Sequence, residues 1–141
     1  TLSSKIYTIN QAVQVISGKT KAVTINPQTF VGTIQITFSD NSISPSVPIK
    51  NHSVVMFSYD NYSNLGSNPT FTNILGIAFA SGTTDNNGKV TFTGIPAGLS
   101  VSFMIYNSTK KYIPSYGTFS VSKGEDYKNS VTISSSYWTN L

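Results

Sequence analysis

Leu99-Ser100-Val101-Ser102-Phe103-Met104-Ile105 is the stretch that decides the fold. Leu99, Val101, Phe103 and Ile105 share one face of an extended chain while Ser100 and Ser102 take the other, the period-two pattern of a half-buried β-strand. Upstream the pattern recurs: Phe30, Gly32, Ile34, Ile36 and Phe38 alternate with Thr33, Gln35 and Thr37, and Ser39-Asp40-Asn41-Ser42 closes the run. Further strands are predicted at 54–59, at 71–80 with Leu75, Ile77 and Phe79 on one face, and at 90–92 after the turn Asp85-Asn86-Asn87-Gly88. Two more fall at 119–121 and 131–133. Seven short strands, bounded by Gly, Pro, Asn and Asp, predict an all-β fold, a single β-sandwich.

Composition agrees. Of 141 residues, 22 are Ser, 17 Thr and 13 Asn, whereas only 10% are charged. One Glu, no Arg, five Leu and five Ala leave few strong helix formers, which excludes an all-α fold. The net charge of +4 comes from nine lysines spread along the chain, with only Lys110-Lys111 adjacent. Nucleic-acid readers need clustered cations, Arg foremost, so no nucleic-acid partner is expected. Absence of cysteine removes disulfides, thiolate nucleophiles and zinc-thiolate sites. No apolar run approaches the ~18 residues of a spanning helix, so no membrane insertion is expected. The start at Thr1 suggests a processed product.

The sandwich is complete by about residue 134 without the first 28 residues, which divides the chain into an N-terminal arm, 1–28, and a β-sandwich domain, 29–141. The arm is no polar tail. Ile6, Ile9, Val13, Val15, Ile16, Val23 and Ile25 give it the composition of extended chain that wants a sheet, broken only at Ser17-Gly18-Lys19-Thr20. Period two places Tyr7, Ile9, Val13 and Val15 on one face, with Gln11 the odd member, and Ile6, Ala12 and Ile16 on the other.

Three triplets fit the N-glycosylation acceptor Asn-x-Ser/Thr: Asn51-His52-Ser53, Asn61-Tyr62-Ser63 and Asn107-Ser108-Thr109. Asn68-Pro69-Thr70 is excluded by its proline. N-linked glycans at Asn51, Asn61 and Asn107 would hydrate a surface short of charge.

The run Gly82-Thr83-Thr84-Asp85-Asn86-Asn87-Gly88-Lys89-Val90-Thr91-Phe92-Thr93-Gly94-Ile95-Pro96-Ala97-Gly98 resembles the signature of carboxypeptidase-regulatory-like and Cna-B-like domains. Val47-Pro48-Ile49-Lys50-Asn51-His52-Ser53-Val54 and Lys111-Tyr112-Ile113-Pro114 resemble two further segments of those families. The resemblance, over about residues 31–134, implies an immunoglobulin-like or transthyretin-like β-sandwich and no chemistry; the apolar segment before it adds an extended N-terminal β-strand arm to that sandwich. Physically, Gly88 supplies positive φ to a tight turn, and Ile95-Pro96 makes a corner whose isoleucine points inward. Cna-B-like domains often carry a Lys–Asn isopeptide bond promoted by a buried acid. Here Lys21 or Lys50 with Asn129 would lack that acid, since Glu125 falls in a polar turn and no Asp falls in mid-strand.

As a whole the chain resembles subunits of extracellular archaeal thread-type adhesion filaments: no Cys or Arg, many Ser, Thr, Asn and Tyr, acceptor triplets, and a β-branched arm before a sandwich. That resemblance implies donor-strand assembly, in which the arm of one subunit completes the sandwich of the next. Tyr7, Ile9, Val13 and Val15 would then form the donor strand, and identical subunits would be the partners.

Catalysis is not expected. The sole histidine, His52, lies inside an acceptor triplet, and the five acids fall mostly in turns, so neither a nucleophile–base–acid set nor a carboxylate pair is assembled. No metal or cofactor is expected: Asp85-Asn86-Asn87 lacks the downstream bidentate Glu of a calcium loop, and no phosphate-binding glycine motif occurs. The expected function is a structural subunit of an extracellular, cell-surface filament serving adhesion. The alternative is a secreted or cell-surface binding module, an adhesin or carbohydrate-binding sandwich, whose tyrosines and Trp138 would stack on sugars.

Overall fold

β1, Val31–Asp40, is the strand around which one sheet is built. The structure, a computed structural model, describes residues 12–24, 30–113 and 118–141. One edge of β1 pairs antiparallel with β5, Lys89–Pro96, and beyond it with the short β2, Val47–Pro48. The other edge pairs parallel with β8, Asp126–Ile133, from Thr33↔Asp126 to Asp40↔Ile133. The second sheet runs in the order β4 (Ala78–Thr83), β3 (Ser53–Ser58), β6 (Val101–Tyr106), β7 (Lys110–Tyr112) and β9 (Thr139–Asn140). The all-β sandwich predicted from alternation is therefore the observed architecture.

Packing follows the alternation. Ile34, Ile36 and Phe38 of β1 are fully buried and face Val54 and Met56 of β3 and Val101, Phe103 and Ile105 of β6 across the sandwich. Phe103 is the aromatic hub, edge-on to Phe38 at 5.2 Å and stacked parallel on Phe119 at 5.6 Å between ring centroids. Such pairs add ~0.5–1.5 kcal/mol beyond the area they bury.

The stretch 71–80 corrects the sequence reading. Phe71–Ile77 is a helix, α2, and only Ala78 onward is strand. Thr70 caps it: its hydroxyl accepts from the Asn73 N–H at 3.1 Å, and the Asn73 side chain accepts from the Thr70 N–H at 3.2 Å. That reciprocal box satisfies two helix-terminal donors and offsets the poor helix propensity of the segment. A shorter helix, α1, Tyr59–Ser63, takes the last residue assigned by sequence to the second strand and is capped by Ser58. Together these helices cover the outer face of the second sheet. Val55, Phe57, Ile74, Ala78 and Met104 form a second buried cluster there.

Two further differences concern length. β8 begins at Asp126, earlier than the expected 131, because its pairing partner is the long β1 and its outer face tolerates Lys128, Ser130 and Thr132. The expected strand at 119–121 reduces to one bridge, Phe119 to Val101.

The turn signature behaves as its chemistry demands. The Asp85 carboxylate accepts from the N–H groups of Asn87 and Lys89 at 2.8 and 2.9 Å, closing the turn. Gly88 has φ +77, and a Cβ there would collide with the carbonyl oxygen of Phe38. Ile95 is fully buried at the corner, as expected. No lysine, aspartate or glutamate is buried among the described residues, so none supplies the interior Lys–acid pair of an isopeptide site.

Candidate functional site

Two features stand apart from the packed sandwich: the arm and one pole of the two-sheet body. Tyr7 and Ile9 lie outside the described residues. Val13 and Val15 are described and exposed, at 41% and 84%, and Ile16 and Val23 are exposed beside them. No residue of 12–24 belongs to a strand. The chain reverses at Ser17-Gly18, where the Lys19 N–H donates to the carbonyl of Ile16 at 3.1 Å and Gly18 has φ +72. The breaker read from sequence is thus a real turn, with exposed apolar residues on both sides.

β1 begins at the pole marked by Val31, Pro96 and Val121. The opposite pole holds the end of β1, the end of β8 and the start of β3. There a cleft of about 450 Å³ opens between the sheets, lined among others by Asp40, Lys50, His52, Asn107, Lys110 and Trp138. The cleft thus lies at the pole opposite the start of β1.

The register Ser53↔Tyr106 in the β3–β6 ladder draws two acceptor triplets together at this pole. Nδ1 of His52 lies 2.8 Å from the carbonyl oxygen of Lys50. A carbonyl can only accept, so Nδ1 carries the proton and Nε2 offers a lone pair. The side-chain amide of Asn107 fills that offer, with Nδ2 3.3 Å from Nε2. Its Oδ1 accepts from the Thr109 and Lys110 N–H groups at 2.9 Å each and from the Thr109 hydroxyl at 3.3 Å. Both ends of the amide are therefore oriented. Asn51 is exposed one residue before His52, in a left-handed conformation with φ +56. Asn61 sits on α1, beyond the far end of β3.

Aromatic rings line the same pole. Trp138 lies 5.6 Å from the His52 ring and 6.5 Å from Tyr112, and Tyr112 lies 6.3 Å from Tyr137. Partial burial, and secondarily the neighbouring Tyr137, pushes the Tyr112 hydroxyl above the usual phenol range. Sequence reasoning named these aromatics singly but not their convergence. It depends on Thr139–Asn140 pairing with Lys110–Lys111, a two-residue ladder with no sequence signature.

His52 has an amide and a backbone carbonyl for hydrogen-bond partners, and neither activates a nucleophile. Among the described residues no group of three or more His, Cys, Asp or Glu could hold a metal ion, and no helix is long and apolar enough to cross a membrane.

No protein-family model matches the chain, and no curated protein matches it. Among solved structures it is similar to the TIE protein of Bacillus anthracis, at 18% identity and a TM-score of 0.49 over 74% of this chain and 17% of that one. It is similar to the major pilin subunit of Bacillus cereus at 17% identity and a TM-score of 0.41, over 72% of this chain and 29% of that one. It is also similar to 5-hydroxyisourate hydrolase of Klebsiella pneumoniae at 14% and 0.40, over 78% and 96%. The chain thus spans less than a third of the length of the first two proteins. At such identities and scores the likeness says nothing of what the chain does.

Proposed function

We propose that the chain is a non-catalytic structural subunit of an extracellular, cell-surface filament serving adhesion, joined to identical subunits by donation of its N-terminal arm. The observation that carries this reading is that β1 is already paired on both edges, by β5 and by β8, while the apolar arm at 12–24 belongs to neither sheet. A segment with Val13, Val15, Ile16 and Val23 exposed gains by leaving water, and burying a Val or Ile side chain contributes ~1.5–3 kcal/mol. Strand addition to a neighbour's sheet edge supplies both the apolar contact and the backbone hydrogen bonds.

Polarity supports the same reading. The chain enters β1 at the pole opposite the cleft, which suits head-to-tail contacts, and these generate open filaments when the rotation does not close. The binding-module alternative is favoured by the aromatic pole alone. It makes the arm a passive tether and the purified chain a monomer.

Size-exclusion chromatography and electron microscopy of the purified chain, beside a Val13→Asp/Val15→Asp variant, separate the two. Filaments from the parent chain and monomers from the variant support arm donation. A monodisperse parent chain refutes it and leaves the binding module. The glycans proposed at Asn51, Asn61 and Asn107 are tested by intact mass of source-derived material.

A further inference from the structure

We propose that the cleft at the Trp138 pole is the seat of a saccharide, and that its occupant is the sugar N-linked to Asn107 of the same chain. The inference rests on the reading of the chain as a glycoprotein and selects, among three acceptor triplets, the one whose sugar is held.

The cleft has the chemistry a pyranose needs. A pyranose presents a C–H face, which packs on an aromatic ring, and a rim of hydroxyls, which need donors and acceptors. Trp138 is half-buried in the cleft and braced by the His52 ring at 5.6 Å, so its indole is a fixed apolar wall. Asp40, Lys50, Lys110 and Ser135 line the same cleft and bring a carboxylate, two ammonium groups and a hydroxyl to its lining. Hydrogen bonds from Ser42, side chain first and backbone second, lower the Asp40 pKa and keep it an acceptor at neutral pH. A volume of about 450 Å³ lies within the ~300–1,000 Å³ of small-ligand sites.

Asn107 is aimed into this space. Three donors from Thr109 and Lys110 hold its Oδ1 toward its own turn, so Nδ2 faces His52 and the cleft. Linkage forms a bond from Nδ2 to the anomeric carbon of an activated glycosyl diphosphate. The donor's anomeric C–O bond breaks, the diphosphate departs with the electron pair, and one Nδ2 proton is lost to the transferase's base. The remaining Nδ2–H still suffices for Nε2 of His52. Asn51 does not line the cleft, and Asn61 lies beyond the other end of β3. Of the three acceptors only Asn107 opens onto the tryptophan.

Trp138 is the single tryptophan of the chain, so fluorescence excited selectively at tryptophan, apart from the eight tyrosines, reports on this cleft alone. The experiment compares the full chain secreted from a glycosylating host with the same chain made without glycosylation. Peptide mass spectrometry locates the sugars and acrylamide quenching measures access to Trp138. The expected result is an occupied Asn107 and the loss of most quenching in the glycosylated chain. Thr109→Val, which removes the acceptor triplet and the hydroxyl donor to Oδ1 but keeps Asn107, its His52 bond and the two backbone donors, should restore quenching, and Asn51→Gln should not.

Sugars at Asn51 or Asn61 with Asn107 bare would overturn the inference, as would an occupied Asn107 with quenching unchanged. Protection of the unmodified chain by free N-acetylglucosamine oligomers, without protection by the linked sugar, would overturn the own-chain occupant and point to an external saccharide. Bare asparagine at all three sites refutes the glycoprotein reading itself. Loss of filaments, by contrast, bears only on arm donation.

Discussion

Val55 of β3 lies opposite Met104 of β6, and both side chains face α1 and α2 rather than the opposing sheet. The central pair of strands is thus buried on both faces and belongs to two cores at once, one between the sheets and one beneath the helices. Met104→Ala should destabilise the chain by ~2–5 kcal/mol, and Phe103→Ala, on the other face, by ~3–5 kcal/mol. Because β3 and β6 serve both clusters, urea denaturation followed by circular dichroism and by tryptophan fluorescence should give coincident single transitions for the parent chain and both variants. Separate transitions would show that the helical layer is an independent unit.

The capping box makes a narrower claim. Thr70→Ala removes the hydroxyl that accepts from the Asn73 N–H and should cost ~1 kcal/mol, whereas Thr70→Ser should cost little. Chemical denaturation of the two variants checks the pair. Equal losses would mean that packing of Ile74, not capping, holds α2 in place.

Acid stability follows from two turn carboxylates. The backbone N–H groups of Lys89 and then Asn87 lower the Asp85 pKa, and Ser42 lowers that of Asp40. A carboxylate lowered in the folded state contributes stability that is fully present above its unfolded value, near ~3.9, and is lost as pH falls through the folded value. Thermal midpoints should therefore be level above about pH 5 and fall below about pH 4. Asp85→Asn should lower the neutral-pH midpoint and flatten the acid limb. A variant with an acid limb as steep as the parent's would remove Asp85 from the account.

At Gly88 the constraint is steric as well as conformational. Gly88→Ala places a Cβ against the carbonyl oxygen of Phe38 at φ +77. The loss should exceed the ~1 kcal/mol typical of a left-handed residue without a clash, because β1 must shift to accommodate it. Gly98→Ala is the control, since it shares φ +77 but has nothing within 4 Å of the added carbon. If both variants lose the same stability, contact with β1 plays no part.

How far the sequence led differs element by element. β1 and β5 were legible because alternation sorts their side chains between core and outside, and the 85–88 turn because only glycine fits its last position; β6 was legible as a strand, but not half-buried as its alternation suggests, since Ser102 and Met104 on its second face are buried too. The second core had a signal that alternation conceals. Val54-Val55-Met56-Phe57 is a continuous apolar run, which marks a strand covered on both faces. The helix at 71–77 was missed since Leu75, Ile77 and Phe79 also satisfy period two, while Thr70 and Asn73, which decide the matter, lie at the start of the run. β8 hid its length behind Asp126, Lys128 and Asn129, tolerated because it pairs at one side of β1. At the site, the acceptor triplets are motifs and could be read directly. That His52 and Asn107, 55 positions apart, would share a hydrogen bond depends on ladder register, which no local pattern states.

The central claim is that the arm leaves its own sandwich. Cryo-electron microscopy of the assembled material tests it most directly, by tracing residues 12–30 from the start of β1. The account requires continuous density from Val31 into the adjacent subunit, with Val13 and Val15 buried against that neighbour. Density showing the arm folded onto its own sandwich, in a filament or in a dispersed monomer, would contradict it.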